Sequence, residues 1–237
     1  MYNAGWESTI VDYCSYGIPF LPYTYTTKNS HEVVEELKTI HIDEQMKIVT
    51  LNIKVLYVNL PIQRILQDSK FWLSKHNNTN TTIEQTLQLL ETILKQNYFQ
   101  YINQLFRPEK GIAMGSPISS TIAEIYIQFL EELYVKQWLE NKQILYYKRF
   151  VTDNFIIYNQ NKTNEQDILN HANSIHKHLQ FKLLTEENKL INYLDFSIYR
   201  NNNNIHLWIH RKSTSTNTII NFSSNHPFEH KLAAFNY

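Results

Sequence analysis

The chain has 237 residues, of which 43% are hydrophobic and 14% aromatic, so it can bury a full core and is not expected to be disordered. Its 22 basic and 22 acidic residues cancel, which argues against strong nucleic-acid binding through a general basic excess but does not exclude a local basic stripe. Cys14 is the single cysteine, so neither an intrachain disulfide nor a cysteine-based zinc site is expected. The N-terminus lacks a signal-peptide pattern and no window resembles a membrane span, which predicts an intracellular, soluble protein.

The first third of the chain is predicted to combine an arm, a strand and helices. Residues 1–27 lack periodicity and are interpreted as an irregular arm. Ser30 is predicted to begin a short helix, because serine favours the N-cap position. Residues 47–53 alternate as a half-buried strand. Pro61 then opens a helix that ends in the polar loop of residues 76–81.

The middle of the chain predicts a helix, an aromatic hairpin and a long helix. Thr82 and Gln85 have the spacing of a capping box, and residues 98–106 have the composition of a β-hairpin. Ser116 as N-cap and Pro117 at the first helical position predict the start of the long helix, which ends at about residue 140. The later predicted elements are a hairpin at 146–158, a helix capped by Thr163 with Gln166, and strands at 181–184, 193–199 and 205–209.

This order of elements predicts the α+β class, with helices packed on one face of an antiparallel sheet. No internal repeat and no domain linker is apparent. The hairpin at 146–158 is the most informative segment, because its polar turn carries a carboxylate, Asp153, between two apolar strands. An ordinary turn acid is the alternative interpretation, since aspartate favours turns in any protein.

Three separated segments resemble the palm motifs of reverse transcriptases. Residues 51–61 resemble the first motif, residues 111–117 the second and residues 149–155 the third. Further matches follow the order found in Penelope-like retroelement reverse transcriptases: Lys28-Asn29-Ser30, Tyr193-Leu194-Asp195-Phe196, His210-Arg211-Lys212 and Asn225-His226-Pro227. The resemblance covers roughly residues 20–237.

The resemblance implies a domain organisation and an activity. Residues 28–212 would form a reverse-transcriptase-like palm with partial fingers, and residues 213–237 would begin a truncated thumb. The family carries out RNA-directed DNA synthesis, a nucleotidyl transfer that uses an RNA template, a DNA primer, nucleoside triphosphates and Mg²⁺.

The residues at the implied metal site depart from the family pattern. In-line nucleotide addition uses two metal ions about 3.5–4 Å apart, held by a few carboxylates and the substrate phosphates. The two aspartates that bridge the metals in the family fall on Asn52 and Thr152. Asp153, at the position of the second hairpin aspartate, is the residual and weak candidate metal ligand. We therefore expect two-metal binding and polymerisation to be lost.

Other motif residues are implied to contact substrate. Tyr57 lies where the family places the aromatic ring that excludes a ribose 2′-hydroxyl, and a core tyrosine is a compatible interpretation. Gly115, Ser116 and Pro117 would approach the template and nucleotide through their backbone, or simply form a helix N-terminus. Arg149 would contact a phosphate, with a solvated strand edge as the alternative.

Three further basic residues are candidates for phosphate contact. They are Lys148, Arg211 and Lys212, and a solvated strand edge is an equally weighted alternative for each.

Three functional hypotheses follow. The first is a reverse transcriptase domain of a retroelement that is catalytically inactive. The second is a non-catalytic nucleic-acid-binding or protein-interaction module that retains the fold. An active polymerase with unusual ligands ranks third.

Overall fold

A computed structural model describes residues 21–75, 79–108, 110–113, 116, 118–141, 143–201, 204–212, 220–226 and 231. In chain order the strands are β1 (Met46–Ile53), β2 (Phe99–Tyr101), β3 (Gln104–Phe106), β4 (Ile144–Phe150), β5 (Asp153–Asn159), β6 (Phe181–Thr185), β7 (Leu190–Tyr193), β8 (Phe196–Asn201) and β9 (Asn204–Ile209). The helices are α1 (Ser30–Leu37), α2 (Leu56–Asn59), α3 (Ile62–Lys75), α4 (Asn80–Lys95), α5 (Ser119–Leu130), α6 (Lys136–Glu140) and α7 (Glu165–Ile175), with a π-helical turn, Glu131–Val135, joining α5 to α6.

The centre of the fold is a four-stranded antiparallel sheet with the order β4-β5-β1-β6. Val49 and Leu51 on one face of β1 pack with Trp138 and Ile168 from the helical side. Helices therefore cover one face of an antiparallel sheet, and the predicted α+β class is confirmed.

The other face of this sheet is covered as well. Ile48 and Phe155 pack there against Leu37 of α1 and Ile198 of β8. β1 is consequently buried on both faces, and the predicted half-buried alternation of residues 47–53 is wrong. The sequence pattern is misleading here because the second cover comes from segments far away in the chain.

A second sheet has the order β7-β8-β9. The sequence predicted one strand over residues 193–199, whereas the chain turns sharply inside this range. Leu194 adopts a left-handed conformation with φ 51°, and Tyr193 pairs with Phe196 across the turn. A left-handed residue other than glycine interrupts a strand, so β7 and β8 form a hairpin instead of one strand.

Helices α2 to α5 form a third layer beside the central sheet. Leu60, Ile65 and Trp72 are buried together with Ile122 and Tyr126 of α5. The Trp72 indole N–H donates to the carbonyl of Ile125 at 3.2 Å. The predicted aromatic hairpin of residues 98–106 is present as β2 and β3.

Local capping shifts three of the predicted helix starts. The Asn29 side chain accepts from the backbone N–H of Glu32 at 3.0 Å, and the Asn164 side chain accepts from that of Asp167 at 2.9 Å. Asparagine competes well for the N-cap position, so it displaces the neighbouring serine or threonine. The observed caps are Asn29, Thr79 and Asn164 in place of Ser30, Thr82 and Thr163.

The ends of the chain are described only in part. Residues 1–20 of the predicted arm lie outside the described residues, and its last residues run beside β4, where Arg149 N–H donates to the Tyr25 carbonyl at 2.8 Å. Of the predicted thumb region, residues 213–219, 227–230 and 232–237 lie outside the described residues. Within the described part, no helix is long and apolar enough to cross a bilayer.

Candidate functional site

The tip of the β4–β5 hairpin lies beside the end of β1. Val151 and Thr152 form the turn, and Val151 is left-handed with φ 52°. Asp153 begins β5 and is paired with Asn52 in the register between β1 and β5. The two motif segments predicted from the sequence are therefore brought together, although 101 positions separate these residues in the chain.

The three side chains at this tip interact with one another. The Asn52 amide nitrogen donates to Asp153 Oδ1 at 2.5 Å and lies 3.5 Å from the Thr152 hydroxyl oxygen. All three residues are half-buried, so the cluster faces partly to solvent.

These residues do not fit the pair of Mg²⁺ ions that the resemblance implies. Mg²⁺ prefers carboxylate oxygens, and this tip offers one carboxylate whose Oδ1 already accepts from an amide N–H. Asn52 directs a hydrogen-bond donor at the position where a metal ligand would be needed. Over the described ranges, no group of three or more histidine, cysteine, aspartate or glutamate residues is placed to hold a metal ion.

A buried asparagine supports the turn from behind. The Asn154 amide nitrogen donates to the carbonyls of Leu51 and Thr152, at 2.7 and 3.1 Å. Its carbonyl oxygen accepts from the Tyr147 hydroxyl at 2.6 Å. The side chain thus ties β1, β4 and the hairpin turn together. Sequence reasoning missed Asn154, and its only signal was an amide placed inside an apolar strand.

Arg149 lies fully inside the protein and not at a strand edge. Its Nε donates to Glu131 at 2.7 Å, while Nη1 and Nη2 donate to Glu124 at 2.8 and 2.9 Å. Further bonds reach the Thr26 hydroxyl and the Val151 carbonyl. Because these groups occupy the guanidinium, it is not free to contact a phosphate. The structure does not support the substrate-binding role predicted for Arg149.

The charges of this cluster stabilise one another. Burial alone would lower the pKa of Arg149, but Glu131 and Glu124 outweigh it and raise that pKa well above its ordinary value. Burial would raise the pKa of Glu124, yet its hydrogen bonds and its attraction to Arg149 lower it overall. The ion pair therefore stays charged and holds the hairpin against α5.

Tyr57 lies on the short helix α2, which packs closely against the start of the second motif. Ile112 N–H donates to the Tyr57 carbonyl at 2.8 Å. Gly111 has φ 82°, and a Cβ added there would lie 2.5 Å from the Val58 carbonyl oxygen. Burial, and then the charge of Glu124, raise the pKa of the half-buried Tyr57. Its predicted contact with a ribose stays a prediction.

Of the three second-motif residues, Ser116 is described, whereas Gly115 and Pro117 lie outside the described residues. Ser116 does not cap the long helix as predicted. Its carbonyl accepts from Ser119 N–H at 3.1 Å, and α5 begins at Ser119 with Ile118 in the N-cap position. The Ser119 hydroxyl donates to the Ala113 carbonyl at 2.5 Å across this turn.

The remaining basic candidates lie in different surroundings. Lys148 forms an ion pair with Glu36 at 2.8 Å, whereas Arg211 and Lys212 are exposed beyond the end of β9.

No protein-family model and no curated protein matches this sequence. Solved structures do match. Apo telomerase from Candida tropicalis superposes with a TM-score of 0.64 at 11% identity, over 86% of this chain and 41% of the telomerase chain. The chain has a reverse-transcriptase-like fold. Telomerase from Candida albicans, solved in complex with a TWJ fragment of telomeric RNA, gives a TM-score of 0.58 at 13% identity, over 84% of this chain and 37% of that chain.

The reverse-transcriptase-like chain spans about two fifths of the length of these telomerase structures. At such low identity the likeness establishes the fold and not the activity.

Proposed function

We propose that this chain is a reverse transcriptase domain of a Penelope-like retroelement that does not polymerise nucleotides. The observation that carries the proposal is the hydrogen bond from the Asn52 amide to the Asp153 carboxylate. It lies at the position where the resemblance places two aspartates and their metal ions.

Three features support the assignment to this family. The palm motifs occur in family order along the sequence, and the fold is similar to that of telomerase. The first and third motifs also meet at one place, because Asn52 pairs with Asp153. Motif segments that matched the family only by chance would not be expected to lie next to one another in the folded chain.

The loss of polymerisation follows from charge. Replacing two of three carboxylates by an amide and a hydroxyl removes about two negative charges from a site for two dications. The Asn52 N–H groups are donors, and a donor repels a cation. We therefore derive no metal-dependent step for this chain.

We propose nucleic-acid binding as the function that remains. A telomerase of similar fold was solved in complex with an RNA fragment, and an RNA template with a DNA primer is the partner that the resemblance implies. Binding depends on the surface of the fold and does not require the metal ions.

Primer extension on an RNA template, with Mg²⁺ or Mn²⁺, tests the proposal. The native chain is expected to be inactive, and Asn52→Asp/Thr152→Asp is the variant that restores the carboxylates. The matched control, Asn52→Ser/Thr152→Asn, changes the same two positions without adding a carboxylate. Extension by the native chain would overturn the proposal, whereas extension by the double variant alone would support it.

A metal-binding measurement keeps the test informative if no variant extends a primer. Electron paramagnetic resonance of Mn²⁺ should detect bound ion with the double variant and none with the native chain or the control. Tight Mn²⁺ binding by the native chain would contradict the proposed loss of the site.

A further inference from the structure

The outward face of the β7-β8-β9 sheet carries a cluster of three rings. Tyr199 of β8 is paired with His206 of β9, and Trp208 lies two residues further along the same face. The ring centroids are separated by 5.9 Å between Tyr199 and Trp208, and by 6.3 Å for each ring to His206. We call these residues the ring platform.

The ring platform is turned away from the core. Side chains alternate along a strand, and Ile198 with Leu207 point inward to pack against the central sheet. The ring platform consequently faces out, where Trp208 is 52% exposed. A cluster of exposed rings is the kind of apolar surface that marks an interaction site.

The chemistry of this face narrows the class of partner. Its other outward residues are Leu190, Asn192, Ser197, Asn201 and Asn204, which include no acid. Arg211 and Lys212 follow directly after β9 and are exposed. Rings on strands whose outward positions carry no acid, followed by two cations, suit a ligand that combines flat bases with negative phosphates.

A cleft lies next to the ring platform. It has a volume of about 470 Å³ and lies between β6 and the β7–β8 hairpin, with Tyr199 on its wall. Glu187, Asn188 and Asn192 also line it; the two amides can donate and accept hydrogen bonds, and the carboxylate can accept them. Such groups can bind the edge of an unstacked base.

We propose that the ring platform binds unpaired bases of a single-stranded nucleic acid, with Arg211 and Lys212 contacting its phosphates. The inference rests on the proposed function only in taking nucleic acid as the class of ligand. The binding surface that it proposes lies outside the Asn52–Asp153 site. Bases stack on aromatic rings largely irrespective of sequence, so weak sequence preference is expected.

Fluorescence anisotropy of labelled single strands of about 12 nucleotides tests this proposal with the full chain. Trp208→Leu should weaken binding about tenfold, because it keeps an apolar side chain but removes the stacking surface. Trp208→Phe keeps a ring and should bind within about threefold of the native chain. Tyr101→Leu, in the separate β2–β3 hairpin and 63% exposed in the native chain, is the matched control and should have no effect.

The phosphate contacts have their own readout. Arg211→Gln/Lys212→Gln should flatten the salt dependence, changing the slope of log affinity against log salt by about 1.4, because two phosphate contacts are lost on a single strand. This measurement does not require the Trp208→Leu variant to fold.

The outcomes that overturn the inference differ from those that overturn the proposed function. The proposed role of the ring platform would be overturned if the native chain did not bind single strands. It would also be overturned if the native chain and the Trp208→Leu variant bound them with equal affinity. If the Trp208→Leu variant instead had a different sedimentation coefficient from that of the native chain, the face would be a protein interface. The inference would then also fail. Binding of an RNA–DNA hybrid in any of these cases would leave the proposed function standing.

Discussion

The Asn52 amide donates to the Asp153 carboxylate across strands β1 and β5, with 2.5 Å between the two atoms. This bond joins two motif segments that are distant in the chain and gives the single carboxylate of the hairpin tip a hydrogen-bond donor. The Asn52 amide is therefore the group that compensates the charge of Asp153.

Restoring the first aspartate alone should destabilise the fold. Asn52→Asp removes the donor and places two carboxylates side by side, and we expect a loss of about 1–3 kcal/mol in the free energy of unfolding at pH 7. Protonation of either carboxyl removes the repulsion, so stability should return as the pH falls towards 5. Urea denaturation at both pH values measures this.

Asn52→Ala is the control for that experiment. It removes the same hydrogen bond without adding a charge, so its effect should be about 1 kcal/mol and should not vary with pH over this range. Equal pH dependence in the two variants would contradict the explanation by charge repulsion.

Removing the guanidinium of Arg149 should destabilise the protein strongly. Arg149→Met leaves Glu124 and Glu131 close together without their cation, and breaking such a buried pair costs about 3–5 kcal/mol. The triple variant with Glu124→Gln and Glu131→Gln should recover most of this loss. Denaturant unfolding compares the two variants, and a triple variant as unstable as Arg149→Met would argue against an electrostatic cause.

The buried carboxyl of Asp68 should make stability depend on pH in the neutral range. Burial raises its pKa to about 7, and the ion pair with Arg64, whose Nε lies 2.9 Å from Oδ1, only partly opposes this. Since the folded pKa lies above the unfolded value of about 3.9, stability is lost as the pH rises through 7.

Asp68→Asn removes that titration and tests its sign. We expect the variant to be more stable than the native chain by about 1–3 kcal/mol at pH 8 and to lose this advantage at pH 5. Thermal unfolding across this pH range measures both values. A native chain whose stability rose from pH 5 to pH 8 relative to Asp68→Asn would contradict the assignment.

Gly111 should not tolerate a side chain. A Cβ at this position would lie 2.5 Å from the Val58 carbonyl oxygen, and φ 82° is already unfavourable for an L-residue. Gly111→Ala is expected to cost about 2 kcal/mol or more, whereas the exposed neighbour Lys110→Ala should be nearly neutral. Differential scanning calorimetry on the two variants provides the comparison.

Features that depend on residue identity and local pattern can be predicted from the sequence. Alternation, turn residues and element order predict the hairpin at 146–158, the aromatic hairpin of residues 98–106 and the α+β class. The sequence alone also shows that Asn52 and Thr152 stand at the two positions where the resemblance implies aspartates. Helix starts were predicted less well, because several residues near each start could act as the cap.

The contacts of those residues depend on segments that are distant in the chain and cannot be predicted from the local sequence. Arg149 has the appearance of an exposed strand cation in the sequence, yet Glu124 and Glu131, 25 and 18 positions away, enclose it. The Asn52–Asp153 bond and the outward ring platform also join residues from different strands. The physical reason is the same for all three: burial and pairing are set by which distant segments pack together, and a local pattern carries no record of that choice.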